Sequence, residues 1–166
     1  LFTSKRSVVN QREVGTDTST LQTALRNGLR QAPDVFFIGE IRDRETMTAA
    51  IAYAQTGHLC IATLHANNSY HALNRILSFY PVEVRPTLLS DLSTTLKAVI
   101  SQRLVKTIRN ERRPAVELML NTQLVAEMVE KGDFAGVKEA MEKSMAPGSQ
   151  TFEDDLARMI REDIIT

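Results

Sequence analysis

Three groups of residues in this 166-residue chain have the types and spacing for chemistry. The first is Asp34–Asp43, DVFFIGEIRD, where a short apolar run ends on Gly39 and Glu40. Ligands of open α/β sheets bind outside the carboxyl ends of the strands, so a glycine and a carboxylate delivered there suit a binding edge. Gly39 lets a ligand approach the backbone, and Glu40 offers a carboxylate that reaches a Mg²⁺ ion directly or through water. A strand-end acid standing in water fits the same description. The second group is Thr56–Asn68, TGHLCIATLHANN, with His58 before an apolar run and His65 after it. An extended strand between them separates the two imidazoles by roughly 20 Å. They therefore do not share a metal, and no third ligand is spaced for one. His65 falls on the same edge as Glu40, where an imidazole contacts a phosphate or responds to protonation. Either histidine alone also suits a hydrogen-bonded, partly buried ring. The third group is Arg26 and Arg30, four apart on one helix face, with Arg42 beyond. Arginines near a phosphate act within a subunit or as fingers offered to a neighbour; a solvated helix face is the plainer use. A phosphate-gripping G-x-x-x-x-G-K-[ST] loop is missing, since no Gly-Lys dipeptide occurs in the chain.

These residues need elements to place them. Val8-Val9 and the stretch around Val14 have strand character, broken by Gly15. Leu21, Ala24, Leu25 and Leu29 recur at helical spacing behind Thr18-Ser19-Thr20, and Pro33 ends that helix. Val35–Ile38 reads as a fully buried parallel strand. A helix follows from Arg44 to Gln55, capped by Asp43 and closed by Gly57. Leu59–Thr63 is a second buried strand, and Ser69 opens a helix stopped by Pro81. Strand, helix, strand, helix is a βαβ unit, so the sheet is parallel. It is expected to present Glu40 and His65 along one rim.

After Pro86 the apolar spacing of Leu88, Leu89, Leu92, Leu96, Val99 and Ile100 predicts one longer helix. Leu104-Val105 and Ala115–Leu120 read as strands joined by the basic link Lys106–Arg113. Helices are predicted from Thr122, over Val137–Met145, and from Thr151, the last with Asp154 as a partial capping box and Phe152, Leu156, Met159 and Ile160 turned inward. The division is an α/β part over residues 1–108 and a β-strand plus helical part over residues 109–166.

With 43% hydrophobic and 24% charged residues, the composition excludes a disordered or collagen-like chain. One cysteine excludes a disulfide framework and a multi-cysteine zinc site within the chain. No apolar run approaches the roughly 18–20 residues of a membrane-spanning helix. Twenty bases balance twenty acids, which gives no reason to expect nucleic-acid binding. Residues 1–122 nevertheless carry a net +5 and residues 123–166 a net −5, which places the basic surplus with the phosphate-type residues. The first residue is Leu1 rather than Met, and Leu1–Ser7 has no signal-peptide character, so the chain reads as cut from something longer.

Leu29–Asp43, LRQAPDVFFIGEIRD, resembles the signature of the type II secretion/type IV pilus ATPase superfamily, with Phe36 and Phe37 where aliphatic residues are usual. Asn10–Gly15, Thr56–Ala66 and Gln102-Arg103-Leu104 agree with further motifs of that superfamily in the same order. The wording of Leu64–Asn68 and Leu120–Leu124 is similar to the twitching-motility retraction group, PilT/PilU, and more to its PilU branch. Secretion and pilus-extension relatives usually carry a four-cysteine zinc element where this chain has only Lys106–Arg113. The resemblance implies part of a RecA-like P-loop ATPase domain in a homohexameric motor that couples ATP hydrolysis to pilus retraction. It implies Glu40 as the Walker B acid, holding Mg²⁺ through water, and His65 and His58 as the catalytic His-box pair. Gly39, Glu40, His65, Arg26, Arg30 and Arg42 are expected to face ATP. The Walker A loop and an acidic box are expected ahead of Leu1, so the chain alone is expected to be inactive. Expected partners are further copies of itself, a related retraction ATPase and the pilus inner-membrane platform protein, at the cytoplasmic face of the inner membrane. A secretion or extension ATPase, a non-catalytic accessory subunit and, more distantly, a DNA-transfer motor are the alternative readings.

Overall fold

The computed structural model describes residues 3–143 and 146–166, in two compact units, residues 1–63 and 64–166. The first unit holds α1 (Leu21–Leu29), β1 (Val35–Ile38), α2 (Arg44–Gln55) and β2 (Leu59–Ala62). Both helices start where a short polar side chain satisfies an orphan amide. The Thr20 hydroxyl accepts from Thr23 N at 3.1 Å, and the Asp43 carboxylate from Thr46 N at 2.8 Å. Gly57, at φ +96°, turns the chain out of α2 in a conformation that L side chains avoid. β1 and β2 then pair in parallel, Val35 opposite Leu59 through Ile38 opposite Ala62.

The predicted burial of that pair is corrected. Phe36 and Ile38 are buried, but Val35, Phe37, Leu59 and Ile61 are each about half exposed. Successive strand side chains point to opposite faces, and α1 and α2 cover only one of them. Phe36 stacks on Tyr53 of α2 at 4.7 Å, and its ring would lie 3.1 Å from a Cβ at Gly28 of α1. Val8-Val9 and Val14 do not form strands: Val8 is 86% exposed and Val14 makes only an isolated bridge to Thr18.

The second unit holds α3 (Ser69–Ser78), a 3₁₀ turn (Val82–Val84), α4 (Arg85–Thr95), β3 (Ala98–Lys106), β4 (Arg112–Leu120), α5 (Gln123–Lys131), α6 (Ala135–Lys143) and α7 (Phe152–Arg161). Its buried side chains include Leu73 of α3, Leu92 of α4, Met119 of β4, Val125 and Val129 of α5 and Val137 of α6. Burying each contributes ~1.5–3 kcal/mol before chain entropy is charged against it. A smaller cluster joins Ala115, Phe152 and Met159 with Val105, Leu156, Ile164 and Ile165.

The single long helix predicted from Leu88 to Ile100 is also corrected. α4 ends at Thr95, and Val99 and Ile100 belong to β3, a nine-residue strand antiparallel to β4 with Ala98 opposite Leu120 and Lys106 opposite Arg112. A distant residue ends the helix. Asn121 Nδ2 donates to the carbonyls of Ser93 and Leu96 at 2.8 and 3.0 Å, and Asn121 N donates to Lys97 O. α7 follows its prediction with a complete Thr151–Asp154 capping box. Ile160, however, is 52% exposed, and Asp155 takes the buried place instead. The predicted end of α6 at Ser144-Met145 lies outside the described residues.

Candidate functional site

In the first unit the parallel register brings the carboxyl ends of β1 and β2 to one edge. Thr63 N donates to Ile38 O, Ile41 N to Thr63 O at 2.9 Å, and the Thr63 hydroxyl to Gly39 O. The chain therefore stays paired past Ile38 and holds Gly39 and Glu40 at a fixed edge. No atom lies within 4 Å of where a Cβ would stand on Gly39, so the backbone there is open to approach.

The Glu40 side chain is 22% exposed, and its Oε2 accepts from Arg42 Nε at 2.6 Å and from Arg42 NH2 at 2.5 Å. That pair raises the Arg42 pKa, chiefly through the hydrogen bond to Glu40. The guanidinium that the sequence assigns to a phosphate thus sits against the carboxylate assigned to the metal. A phosphate arriving at this edge meets an ion pair. Arg26 and Arg30 are exposed, Arg26 in the last turn of α1 and Arg30 as its C-cap. Positive charge there complements the helix dipole whether or not a ligand is present.

His58 lies at the amino-terminal end of β2, opposite the edge that carries Glu40. Its Nδ1 is 3.0 Å from Thr56 Oγ1 and 3.2 Å from Tyr53 O. The Thr56 hydroxyl itself donates to Tyr53 O, and a carbonyl only accepts, so both neighbours call for a proton on Nδ1. The ring edge also meets Phe36 at 5.4 Å. This satisfied, partly buried imidazole supports the strand pair and does not join Glu40. Cys60 is half-buried, and burial holds its thiol above the usual value, which makes it a poor nucleophile.

His65 lies at the start of the second unit, after Leu64. It is exposed and lines a shallow cleft of about 400 Å³ with Asn67, His71, Asn74 and Arg75. The lining carries imidazole, amide and guanidinium groups and no carboxylate, a set that favours an anion. The peptide behind His65 is tied down on both sides. Asn68 Oδ1 caps α3 through His71 N at 2.9 Å, Glu117 Oε1 accepts from Ser69 N at 2.7 Å and from the Ser69 hydroxyl, and Arg103 Nε donates to Asn67 O at 3.2 Å. Thr63 and Glu117 were not singled out from the sequence. Glu117 was visible there as the acid in the inward alternation Ala115–Glu117–Met119, where an apolar residue is the ordinary choice. Among the described residues, no group of three or more His, Cys, Asp or Glu side chains is placed to hold a metal by itself.

Residues 5–152 match the family described as type II/IV secretion system protein, and the chain belongs to that family. It is 48% identical to the type IV pilus ATPase PilU of Pseudomonas aeruginosa over 96% of this chain and 42% of that protein. It is 36% identical to the type IV pilus retraction ATPase PilT of the same organism, over 98% of this chain and 47% of the relative. The crystal structure of the pilus retraction motor PilT with bound ADP superposes with a TM-score of 0.89 at 36% identity, covering all of this chain and 47% of that one. The chain thus spans a little under half the length of the relatives it matches. The parallel pair and the α/β order agree with the expected fold class.

Proposed function

We propose that this chain supplies part of the nucleotide site of an ATP-hydrolysing motor that drives type IV pilus retraction. The observation that carries the reading is the edge at Gly39-Glu40, held by Thr63 across a registered parallel pair, in a chain similar to PilU and PilT over nearly its whole length. Residues 1–108 contribute the Walker B and His-box part of the site, and residues 109–166 form a β-strand plus helical subdomain.

Glu40 fits a Mg²⁺ ion in a limited sense. It is one partly exposed carboxylate, outside any group of three or more His, Cys, Asp or Glu side chains among the described residues, and Mg²⁺ is commonly held by one or two carboxylates, several waters and substrate phosphates. The bound ion would neutralise charge on the phosphates. Glu40 orients the water shell around it, and Arg42, already paired with Glu40, limits how far that carboxylate swings. Gly39 leaves room for the phosphates. In the second unit His65 is the nucleotide-facing histidine of its exposed cleft, and in the first unit Arg26 and Arg30 are arginines offered to a nucleotide of the same or a neighbouring subunit. His58 supports the strand pair from its far end. Self-assembly into a hexamer, a related retraction ATPase, the inner-membrane platform protein and a place on the cytoplasmic side of the inner membrane complete the proposal.

In the full-length protein, Glu40→Gln should lower ATP hydrolysis by about 100-fold or more while nucleotide binding persists, since a misplaced charge-stabilising group costs the transition state most. Steady-state hydrolysis alongside calorimetric Mg-ATP binding measures both. A normal turnover rate in Glu40→Gln would remove Glu40 from the site. For residues 1–166 alone, weak or no Mg-ATP binding is expected.

A further inference from the structure

We propose that Arg103 and Glu117 are positioning residues that hold the Asn67–Ser69 peptide, and through it the imidazole of His65. The inference rests on the reading of His65 as the nucleotide-facing histidine. The two side chains come from facing strands of the β3–β4 hairpin. Arg103 stands opposite Ala115 and Ser101 opposite Glu117, so both project from one face. They reach the chain on either side of Asn68 with matched polarity. The cation takes the carbonyl of Asn67, and the anion takes the amide and hydroxyl of Ser69. Asn68 is itself buried and committed to the amide of His71. Three consecutive residues, two positions after His65, are thereby fixed by side chains rather than by a sheet ladder.

Glu117 is 7% exposed between the buried apolar residues Ala115 and Met119. A leucine or methionine would continue that pattern with no charge to desolvate, and a buried carboxylate is tolerated only where it is fully paired. What it adds over an apolar residue is the location of the Ser69 amide. Arg103 is prepared in the same sense: its guanidinium lies 4.3 Å over the ring of Phe152, which is buried at the start of α7 and orients the Nε toward Asn67. The hairpin and the first turn of α7 therefore converge on the peptide that places His65.

The test is a double-mutant cycle in the full-length protein, with hydrogen exchange read on the same samples. Glu117→Ala should lower kcat about tenfold with KM for Mg-ATP little changed, because a misplaced group costs the transition state more than the ground state. Glu117→Gln, whose amide oxygen still accepts from Ser69, should recover at least about half of the loss. In a His65→Ala background, Glu117→Ala should cost less than about twofold further, the non-additivity of residues acting as one unit. Amide exchange over residues 66–71 should accelerate at least about tenfold in Glu117→Ala. Losses that multiply with those of His65→Ala, or unchanged exchange over residues 66–71, overturn the proposal. Full activity in His65→Ala itself identifies a different failure, that of the nucleotide reading, and removes the positioning role with it. Arg103 is exposed, so Arg103→Ala carries the same cycle if Glu117→Ala does not fold.

Discussion

Asp155→Ala is expected to destabilise the second unit by about 2 kcal/mol through the single part-buried amide it abandons. Asp155 is 3% exposed on α7, and its Oδ2 accepts from Val116 N in β4 at 2.8 Å. The Val116 carbonyl points the same way, off the outer side of β4, and accepts from Gln150 Nε2 at 2.9 Å. The segment from Gln150 to Asp155 thus closes the outer edge of β4, a row of backbone groups that otherwise needs water or another chain. Alanine cannot replace the acceptor, and a stranded buried donor costs about 1–3 kcal/mol. The other carboxylate oxygen binds Arg158 Nε and NH2 at 3.0 and 2.8 Å. That guanidinium is solvated, so the cost comes from the Val116 amide. For a unit the size of residues 64–166, a change of 2 kcal/mol lowers Tm by about 10 °C. Asp155→Asn keeps an oxygen for Val116 and should cost about half as much. Calorimetric melting measures the shift, and hydrogen exchange at Val116 locates it. A melting point for Asp155→Ala within about 1 °C of the parent, with the Val116 amide still protected, refutes the assignment.

Gly132→Ala should cost about 1–2 kcal/mol, measured by urea unfolding, because Gly132 ends α5 at φ +71° and a Cβ there would stand 3.3 Å from Leu89 Cδ1 of α4. Acid should loosen α7 through Asp154, whose carboxyl is held below its usual value first by the Thr151 amide and then by the Thr151 hydroxyl. A depressed folded pKa gives stability that is complete above the unfolded value near 3.9 and is lost as pH falls through the lower folded value. Melting followed from about pH 5 down to about pH 2 should therefore be flatter in Asp154→Asn than in the parent, and identical slopes would contradict the capping role.

Four helix starts were legible because each is settled within four residues. Thr20, Asp43, Thr122 and Thr151 accept from amides three positions ahead, and nothing further away is needed to make those bonds. The Gly39-Glu40 edge was legible for a similar reason, since a short strand and the residues after it are contiguous. Val99 and Ile100 show where that reasoning stops. Their spacing continues the apolar stripe of α4, and only Asn121, more than twenty residues on, takes the carbonyls that end the helix and frees them for β3. The half-exposed faces of β1 and β2 follow from which helices pack on them, a fact absent from the run of apolar residues. Composition and spacing thus settled the elements whose hydrogen bonds are local. Tertiary structure decided where α4 yields to β3, why Asp155 and Glu117 are buried, and what holds the peptide behind His65, because in each case the partner lies on another element and is reached only after the chain has folded.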